Sequence, residues 1–220
     1  METTPSRRTL SAQDQRLAAD LVEWERSVET ARDDADVLAG LATAEYGPDD
    51  LDAVLARVES AQAGFEARAR AMGAEDAAVD ARRAAFASAR KSYRAFRKLA
   101  KSTFRADRDA RTALGLTDPT PRALADFAAH VRAGYTAAAT EPYLSRLGRG
   151  YTAERLQALV AEADDLVRAD GAVSGAESRA EAATAARDAE ADAARDAFGE
   201  YRDVAQATLP PDLLARLELD

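Results

Sequence analysis

The feature that most constrains the fold is an internal repeat, in which residues 46–114 match residues 151–219 without a gap. Twenty of the 69 aligned positions are identical, and the clearest block sets Tyr93–Phe104 over Phe198–Leu209. Eleven of the identities are Ala, and nine are not. The nine are Tyr46/Tyr151, Leu51/Leu156, Arg82/Arg187, Arg90/Arg195, Arg97/Arg202, Thr103/Thr208, Asp107/Asp212, Arg111/Arg216 and Leu114/Leu219. Such a repeat indicates that one supersecondary unit occurs twice in the chain.

The composition restricts this unit to helices. Alanine, the strongest helix former, supplies 56 of the 220 residues. Alternating runs rich in β-branched residues, which would indicate strands, do not occur in the sequence. Alanine buries little area, so Ala-rich helices must approach closely to gain stability. We therefore predict an all-α fold, an elongated antiparallel bundle of four main helices built from two tandem helical-hairpin repeats.

The first repeat is predicted to cover residues 1–116. Its helix A spans residues 11–45, because a Ser can cap its first turn and Gly47-Pro48 prevents its continuation. The long helix B spans residues 49–115, since no Pro interrupts this part of the chain. Gly73 lies within helix B and leaves open whether the helix is continuous or kinked.

The second repeat is predicted to cover residues 117–220. A Thr-Asp-Pro-Thr-Pro sequence stops the first repeat and starts helix A′, which spans residues 121–147. The long helix B′ spans residues 152–208, and a terminal helical turn follows at residues 212–219. No linker longer than about six residues separates the copies, so we expect both repeats to pack as one unit.

The same register aligns the connections and the ends of the two repeats. The loop Gly148-Arg149-Gly150 corresponds to Gly47-Pro48, so we expect it to join two helices in the same way. The segment Leu114-Gly115-Leu116 corresponds to Leu219-Asp220. The second tail is therefore expected to be shorter than the first.

Several motifs of the second repeat carry a resemblance to a known group. The helix B′ start reads Tyr-Thr-x-Glu-Arg-Leu at Tyr151–Leu156, and an Ala-Thr-Ala-Ala-Arg-Asp-Ala element occupies Ala183–Ala189. An aromatic–Arg block follows at Tyr201–Ala205, and each copy ends in a segment from Asp to Leu, at Asp212–Leu219 and Asp107–Leu114. In these motifs the chain resembles uncharacterised bacterial all-helical bundle proteins with a tandemly duplicated helical hairpin. The resemblance implies an architecture and no activity.

Several classes of chemistry lack the residues that they need. The chain has no Cys, which excludes disulfides, thiol catalysis and Cys-bound metals. A di-iron bundle needs Glu-x-x-His pairs, whereas His130 is the only His and Phe127 stands three residues before it. No Gly-rich phosphate-binding motif occurs. We therefore predict no catalytic residue, no cofactor and no metal site, and we interpret His130 as a partly buried side chain.

The charge and hydropathy of the chain predict where it resides. The net charge of −9 favours solubility and argues against general nucleic-acid binding. Residues 1–10 contain no apolar segment of a secretory signal. No run of about 18 apolar residues could form a membrane span. We therefore expect a cytoplasmic protein without a membrane span.

Positive charge concentrates in one part of this acidic chain. Between Arg90 and Arg108 there are eight basic residues and one acidic residue. On a continuous helix, seven of the eight would lie within about 100° of one face. These seven residues, which we call the basic stripe, are Arg90, Arg94, Arg97, Lys98, Lys101, Arg105 and Arg108. The second repeat does not keep this stripe at the matching positions.

The basic stripe has a structural and a functional interpretation. Acidic residues of helix B′ could lie opposite the stripe and balance its charge, or the stripe could be a solvated face. The acidic candidates are Asp188, Glu190, Asp192, Asp196 and Glu200. Alternatively, the stripe could bind an acidic partner, either a helix of another subunit, an acidic protein or nucleic acid. The negative net charge argues against nucleic acid.

These observations predict a non-enzymatic function. We expect a structural or protein-interaction bundle that binds a protein partner or itself. A basic patch in the first repeat and acidic helices in the second would allow head-to-tail association of copies. The alternative is a carrier that holds a small molecule or an ion between Ala-lined helices.

Overall fold

A computed structural model describes residues 11–148 and 150–219 of the chain. This part contains helices, turns and connecting segments and no strand, which confirms the all-α prediction. The helices are α1 (Ala12–Asp33), α2 (Ala35–Leu41), a 3-10 turn (Ala42–Ala44), α3 (Pro48–Thr103), α4 (Arg108–Ala113), α5 (Leu124–Ala138), α6 (Tyr143–Leu147), α7 (Ala153–Thr208) and α8 (Pro211–Arg216). The expectations for residues 1–10, and for the Arg of the Gly148–Gly150 loop, lie outside the described residues.

The two long helices have equal lengths. Helices α3 and α7 each contain 56 residues, and both ends of α7 are those of α3 displaced by 105 positions. Helix α3 passes Gly73 without interruption, and the space beside this Gly is open. The sequence left open whether predicted helix B is kinked near Gly73, and in the structure the helix is continuous there.

Predicted helix A is two helices, not one. Asp34 interrupts it with an extended backbone, at φ −94° and ψ 110°. The Asp34 carboxylate accepts hydrogen bonds from the backbone N–H groups of Asp36 at 2.9 Å and Val37 at 3.3 Å, and so caps α2. Aspartate competes for backbone donors in this way and favours helix starts over helix interiors.

Predicted helix B is also too long, because α3 ends at Thr103 and not at residue 115. The chain turns at Phe104, which is completely buried. Asp107 then caps α4 by accepting a hydrogen bond from the Ala110 N–H at 2.9 Å. The sequence has neither Gly nor Pro at this point. The burial of the Phe104 ring and the Asp107 cap therefore determine where α3 ends.

Predicted helix A′ divides in the same manner. Helix α5 begins at Leu124, three residues later than predicted, and residues 139–142 separate it from α6. The start moves because Thr120 does not cap α5, and its hydroxyl instead accepts a hydrogen bond from the guanidinium of Arg97.

The chain forms two compact units whose borders cut across both predicted repeats. Unit 1 contains residues up to Gly73 together with Arg179 onwards, and unit 2 contains Ala74–Ser178. The two borders, after Gly73 and after Ser178, are 105 positions apart. Each unit thus takes the first part of one long helix and the last part of the other. The packing of both repeats as one unit stays a prediction.

In unit 1, three long helical segments lie side by side. Helix α1 runs antiparallel to the start of α3, where the Gln62 amide donates to the Glu25 carboxylate at 2.8 Å. It runs parallel to the end of α7, where Trp24 stacks on Phe198 with ring centroids 4.9 Å apart. The core between them includes Leu21, Val28, Leu41, Leu51, Val58 and Tyr201. The four-helix arrangement of the whole chain stays a prediction.

Unit 2 has the same plan. Helix α5 runs parallel to the end of α3, where Phe86 and Phe127 meet edge to face with centroids 5.3 Å apart. It also faces the start of α7, where Arg132 and Asp164 form an ion pair at 3.3 Å. Its core is richer in aromatic rings and includes Tyr93, Phe96, Phe104, Phe127, Tyr135 and Leu166.

The tails of the two repeats are equivalent in conformation, which corrects the expected difference in length. Gly115 after α4 has φ +64°, and Glu218 after α8 has φ +56°. In each tail the next residue donates its N–H back to a helical carbonyl, Leu116 to Arg111 at 2.8 Å and Leu219 to Leu214 at 3.2 Å. Equivalent residues of the two tails are thus 103 positions apart and not 105. The reason is that α4 begins at Arg108 and α8 begins 103 residues later, at Pro211.

Candidate functional site

The structure divides the basic stripe into two groups. Five of its seven side chains are exposed, and within residues 11–148 and 150–219 none of these five has an ionic or hydrogen-bonding partner. We call these five the open cations, and they are Arg94, Lys98, Lys101, Arg105 and Arg108. The other two stripe residues are partly buried and have partners within unit 2.

Arg97 is a structural clamp. Its guanidinium donates to the Leu116 carbonyl at 3.2 Å, to the Asp118 carbonyl at 2.6 Å and to the hydroxyl of Thr120. These acceptors lie on the segment that connects α4 and α5. Arg97 therefore fixes this segment against α3 and is not available to a partner.

Arg90 has an intramolecular partner as well. Its guanidinium lies 4.9 Å from the centre of the Phe86 ring, one turn earlier on α3. A cation over an aromatic face is attracted by the ring quadrupole, by about 0.5–1 kcal/mol at exposed sites. The sequence pattern placed Arg90 on the same face as the open cations but did not reveal this contact.

The end of α3 also changes the geometry of the stripe. Only Arg94, Lys98 and Lys101 among the open cations lie on one face of α3, with spacings of four and three residues. Arg105 lies in the turn and Arg108 is the first residue of α4. The prediction of seven cations on one continuous helical face is wrong for these last two, because the helix ends at Thr103.

The acidic residues that were expected to balance the stripe lie in unit 1. Asp188 pairs with Arg187 at 2.8 Å, and Asp192 pairs with Arg195 at 2.5 Å. The open cations belong to unit 2 and keep no ion pair among the described residues. Balance of the stripe by these acidic side chains stays a prediction.

The units differ strongly in formal charge. Counted over the whole sequence, unit 1 carries 25 acidic and 13 basic residues, which gives −12. Unit 2 carries 14 acidic and 17 basic residues, which gives +3. The net charge of −9 thus conceals one acidic and one weakly basic unit.

His130 is part of the unit 2 packing, in agreement with its interpretation from sequence. Its Nε2 lies 2.7 Å from the Tyr93 hydroxyl, in hydrogen-bonding distance. A methyl group on Gly115 would approach the His130 ring to 3.1 Å. Burial lowers the pKa of His130 below 6.5, the positive charge of Arg97 lowers it further, and Asp118 opposes both.

Sequence reasoning missed a buried ionic cluster in unit 1. The Asp14 carboxylate accepts hydrogen bonds from Arg187 and, at 3.0 Å, from Arg68. Arg187 also lies over the Phe65 ring, 5.1 Å from its centre, and is nearly fully buried. The only sequence signal was the repeated Arg82/Arg187 pair, which says nothing about Asp14 because the partners are 173 residues apart.

The cluster keeps Asp14 ionised. Burial alone would raise the pKa of the Asp14 carboxyl, but hydrogen bonds with Arg187 and Ser11 and the charges of Arg187 and Arg68 outweigh it and lower the pKa. An acid that is held as a carboxylate between two guanidinium groups is a poor proton donor. We interpret this cluster as structural.

The residues that the structure describes contain neither a metal-binding cluster nor a membrane-spanning helix. No group of three or more His, Cys, Asp or Glu side chains within them could hold a metal ion. No helix among them is both long enough and apolar enough to cross a membrane.

Comparison with known protein families, with curated proteins and with solved structures gives no match to this chain. The resemblance to uncharacterised bacterial bundle proteins therefore stays a prediction.

Proposed function

We propose that the protein is a non-enzymatic interaction protein whose open cations bind an acidic protein surface. The partner considered first is a second copy of the chain. The observation that carries the proposal is the set of five exposed cations without partners among the described residues, on a chain with a net charge of −9.

The arrangement of these cations costs stability in the isolated molecule. Lys98 lies four residues after Arg94 and three residues before Lys101, so like charges are neighbours on α3. Such pairs destabilise a helix by about 0.2–0.5 kcal/mol each. An acidic partner would remove this repulsion and convert it into attraction, which is how charge strips accelerate and orient protein association.

The acidic unit of a second copy offers a suitable surface. Three positions of α7 that match the basic stripe, Arg195, Gly199 and Asp203, line an open cleft of about 650 Å³. Asp196, Glu200 and Asp203 line this cleft around Gly199. A basic surface on one unit and an acidic surface on the other support head-to-tail association, in which each copy contributes a different face.

Two observations support a non-enzymatic role. His130, the only His of the sequence, lies in hydrogen-bonding distance of the Tyr93 hydroxyl, and its ring packs against Gly115. The buried carboxylate of Asp14 is neutralised by two Arg side chains. Acid–base catalysis needs a side chain that is free to exchange a proton with a substrate, and both of these side chains are held by neighbours.

The carrier alternative receives less support. A carrier of small molecules needs an enclosed, mostly apolar pocket. Clefts described in unit 1 are open and lined by charged side chains, one around Asp33 and Asp34 and another around Asp188 and Asp192. We therefore retain the interaction function.

We further propose that the chain arose by duplication of a helical hairpin, within an antiparallel four-helix bundle. The identical lengths of α3 and α7 support this proposal, and so do the two unit borders, 105 positions apart. The matching left-handed residues Gly115 and Glu218 support it independently of sequence identity. The cytoplasmic location stays a prediction.

Sedimentation velocity at low and at high salt tests the proposed function. We expect wild-type protein to associate at low salt and to dissociate at high salt, because salt screens exposed charges beyond about 10 Å at 0.1 M. The variant Lys98→Glu/Lys101→Glu should remain monomeric at low salt.

A matched variant controls for net charge. Arg122→Glu/Arg168→Glu changes the charge by the same amount at exposed residues of unit 2 outside the stripe, and it should associate like wild type. Wild-type protein that is monomeric at both salt concentrations would contradict self-association. Equal loss of association in both variants would contradict a role of the open cations.

A further inference from the structure

The end of α7 exposes a row of acidic side chains in unit 1. Residues 191–203 contain four acidic residues, and all four are exposed. We call them the acidic stripe, and they are Asp192, Asp196, Glu200 and Asp203. Their positions on α7 span about 80° of the helix circumference. One face of α7 is therefore acidic over its last turns.

The spacing of the acidic stripe is the same as that of the cations on α3. Successive members of the acidic stripe are four, four and three residues apart. The same spacing separates the members of the basic stripe on α3, which are Arg90, Arg94, Lys98 and Lys101. Each of these cations thus lies 102 positions before one of the acids. Residues with equal spacing on two helices lie at equal heights and angles, so two parallel helices can align all four pairs in one register.

An antiparallel arrangement of the two helices fits less well. It reads the acidic stripe in reverse and aligns at most three of the four pairs. That alignment leaves Lys101 and Asp203 without opposite charges. It also depends on Arg90 and Asp192, which already have contacts with Phe86 and Arg195. The charge pattern therefore favours the parallel orientation.

The acidic stripe has few partners within unit 1. Asp196 and Glu200 form no ion pair among the residues that the structure describes. Asp203 lies 3.9 Å from Arg202, and both side chains are more than half exposed. Exposed ion pairs of this kind contribute little to stability, so a partner can replace them. The acids thus remain available to cations of another molecule.

The same face of α7 allows a second helix to approach closely. Gly199 lies beside the acidic stripe and Ala207 continues it, and both line the open cleft. A Cβ atom at Gly199 would meet nothing within 4 Å, so the packing of unit 1 does not require a Gly there. Gly is unfavourable in the interior of a helix. Its place beside the stripe leaves room for the long cationic side chains of a partner.

We infer that the end of α3 of one copy binds the acidic stripe of a second copy in a parallel orientation, with each cation opposite the acid 102 positions later. This inference rests on the proposed self-association and adds its contact surface and its orientation. The basic and the acidic stripe belong to different units, so each copy offers one surface of each kind. Such a contact is heterologous, because it joins different faces of identical chains.

Exchange of one ion pair tests this contact in the full-length protein by sedimentation equilibrium at low salt. Lys98→Glu and Glu200→Lys should each weaken self-association by at least about tenfold in Kd, because attraction becomes repulsion. The double variant Lys98→Glu/Glu200→Lys should recover most of the lost affinity, since the pair is restored with its charges exchanged. The matched control is Lys98→Glu/Glu59→Lys, which has the same net charge but changes an exposed acid outside the stripe. This control should stay as weak as Lys98→Glu alone.

Cross-linking tests the orientation, and introduced thiols are unique because the sequence contains no Cys. Ala87 and Ala189 are exposed and lie seven residues before Arg94 and Asp196, on the faces that carry the stripes. Ala87→Cys and Ala189→Cys proteins, when mixed at low salt, should form a covalent dimer with a short bis-maleimide, and each alone should form none. Ala87→Cys mixed with Ala207→Cys is the control, because these positions approach each other only when the helices are antiparallel. This second mixture should form no covalent dimer.

The outcomes separate this inference from the function on which it rests. Wild-type protein that is monomeric at low salt would contradict both. Salt-dependent association that Glu200→Lys leaves unchanged, or that the double variant does not recover, would overturn the inference but not the proposed binding by the open cations. Cross-linking through Ala207 and not through Ala189 would overturn the parallel orientation.

Discussion

The two units place one pair of equivalent positions in opposite environments. In unit 2, Arg82 of α3 and Asp170 of α7 form an ion pair at 3.2 Å, with both side chains more than a third exposed. The positions 105 residues away in unit 1 hold Arg187 and Phe65, and there the Arg lies over the ring and is buried. A surface ion pair in one unit thus corresponds to a buried cation in the other.

The length of the first helix in each unit explains this difference. Helix α1 begins at Ala12 and brings Asp14 to Arg187, whereas α5 begins only at Leu124. Trp24 of α1 stacks on Phe198, and Phe127 of α5 meets Tyr93, which is the residue 105 positions before Phe198. Trp24 and Phe127 are thus equivalent and 103 residues apart, so Asp14 corresponds to Thr117, which precedes α5. The additional turns of α1 cover Arg187 and supply its carboxylate, whereas Arg82 of unit 2 stays more than a third exposed. The longer first helix, together with the change from Asp170 to Phe65, therefore turns a surface position into a core position.

The largest change in the free energy of unfolding is expected at the buried ionic cluster around Asp14. Asp14→Ala should lower the free energy of unfolding by about 3 kcal/mol, because it leaves the buried Arg187 without its main partner. Asp170→Ala, at the equivalent surface pair, should cost at most about 1 kcal/mol. Urea titrations followed by Trp24 fluorescence and by circular dichroism would measure both values. Equal losses in the two variants would contradict the difference that we draw between the units.

A smaller effect is expected at the two left-handed tail residues. Glu218 adopts φ +56° with a side chain, whereas its counterpart Gly115 adopts φ +64° without one. Glu218→Gly should therefore stabilise the protein by about 1 kcal/mol, since a side chain in this conformation costs about that much. Gly115→Ala should destabilise it, because the new methyl group also approaches His130 to 3.1 Å.

Thermal unfolding of both tail variants would measure these effects. An Ala at Glu218 is the control, because it removes the carboxylate and its exposed 3.8 Å contact with Arg26 but keeps the unfavourable backbone. Stabilisation by Ala as large as that by Gly would show that charge and not conformation matters at this position.

The smallest change in stability is expected from pH. It concerns His130 of unit 2, because the equivalent residue of unit 1 is Ser27, which does not titrate. Burial lowers the pKa of His130 in the folded protein below the ordinary value of 6.5. As the pH decreases, the unfolded chain therefore takes up a proton at His130 at a higher pH than the folded protein does. The contribution of His130 to stability is thus fully present above pH 6.5 and is lost as the pH falls towards the lowered pKa. His130→Gln should remove this part of the pH dependence.

Urea unfolding at pH 7.5, 6.5 and 5.5 would compare wild type with His130→Gln, on the pH scale where an ordinary His titrates. Wild-type protein should lose more stability than the variant over this range. Identical pH profiles would contradict a buried neutral His130 in the folded state.

Much of the helical pattern could be predicted from the sequence. The starts of α3 and α7 follow from Gly47-Pro48 and from the Thr after Tyr151, and their predicted positions differ from the observed ones by one residue. The breaks at Asp34 and Phe104 were missed. Asp34 carried a recognisable capping signal, whereas the end of α3 depends on the burial of Phe104 among residues distant in sequence.

Less of the candidate site could be predicted. Periodicity located the exposed cations on α3, because a helical face depends on spacing alone. It could not separate Arg97 from them, since the acceptors of Arg97 lie 19 to 23 residues further along the chain. The Asp14 cluster joins three segments that have no local pattern in common, so it became visible only in the folded chain.

The division of the chain has a consequence for its synthesis on the ribosome. Unit 2 is one continuous stretch of 105 residues, whereas the two parts of unit 1 are separated by that whole stretch. At translation rates of about 5–20 residues per second, the first part of unit 1 waits roughly 5–20 seconds for the second. During this interval Val54, Val58 and Leu51 lack the α7 segment that covers them in the native fold. Unit 2 can therefore be completed before unit 1, and nascent unit 1 is the part of the molecule whose apolar side chains wait for their cover.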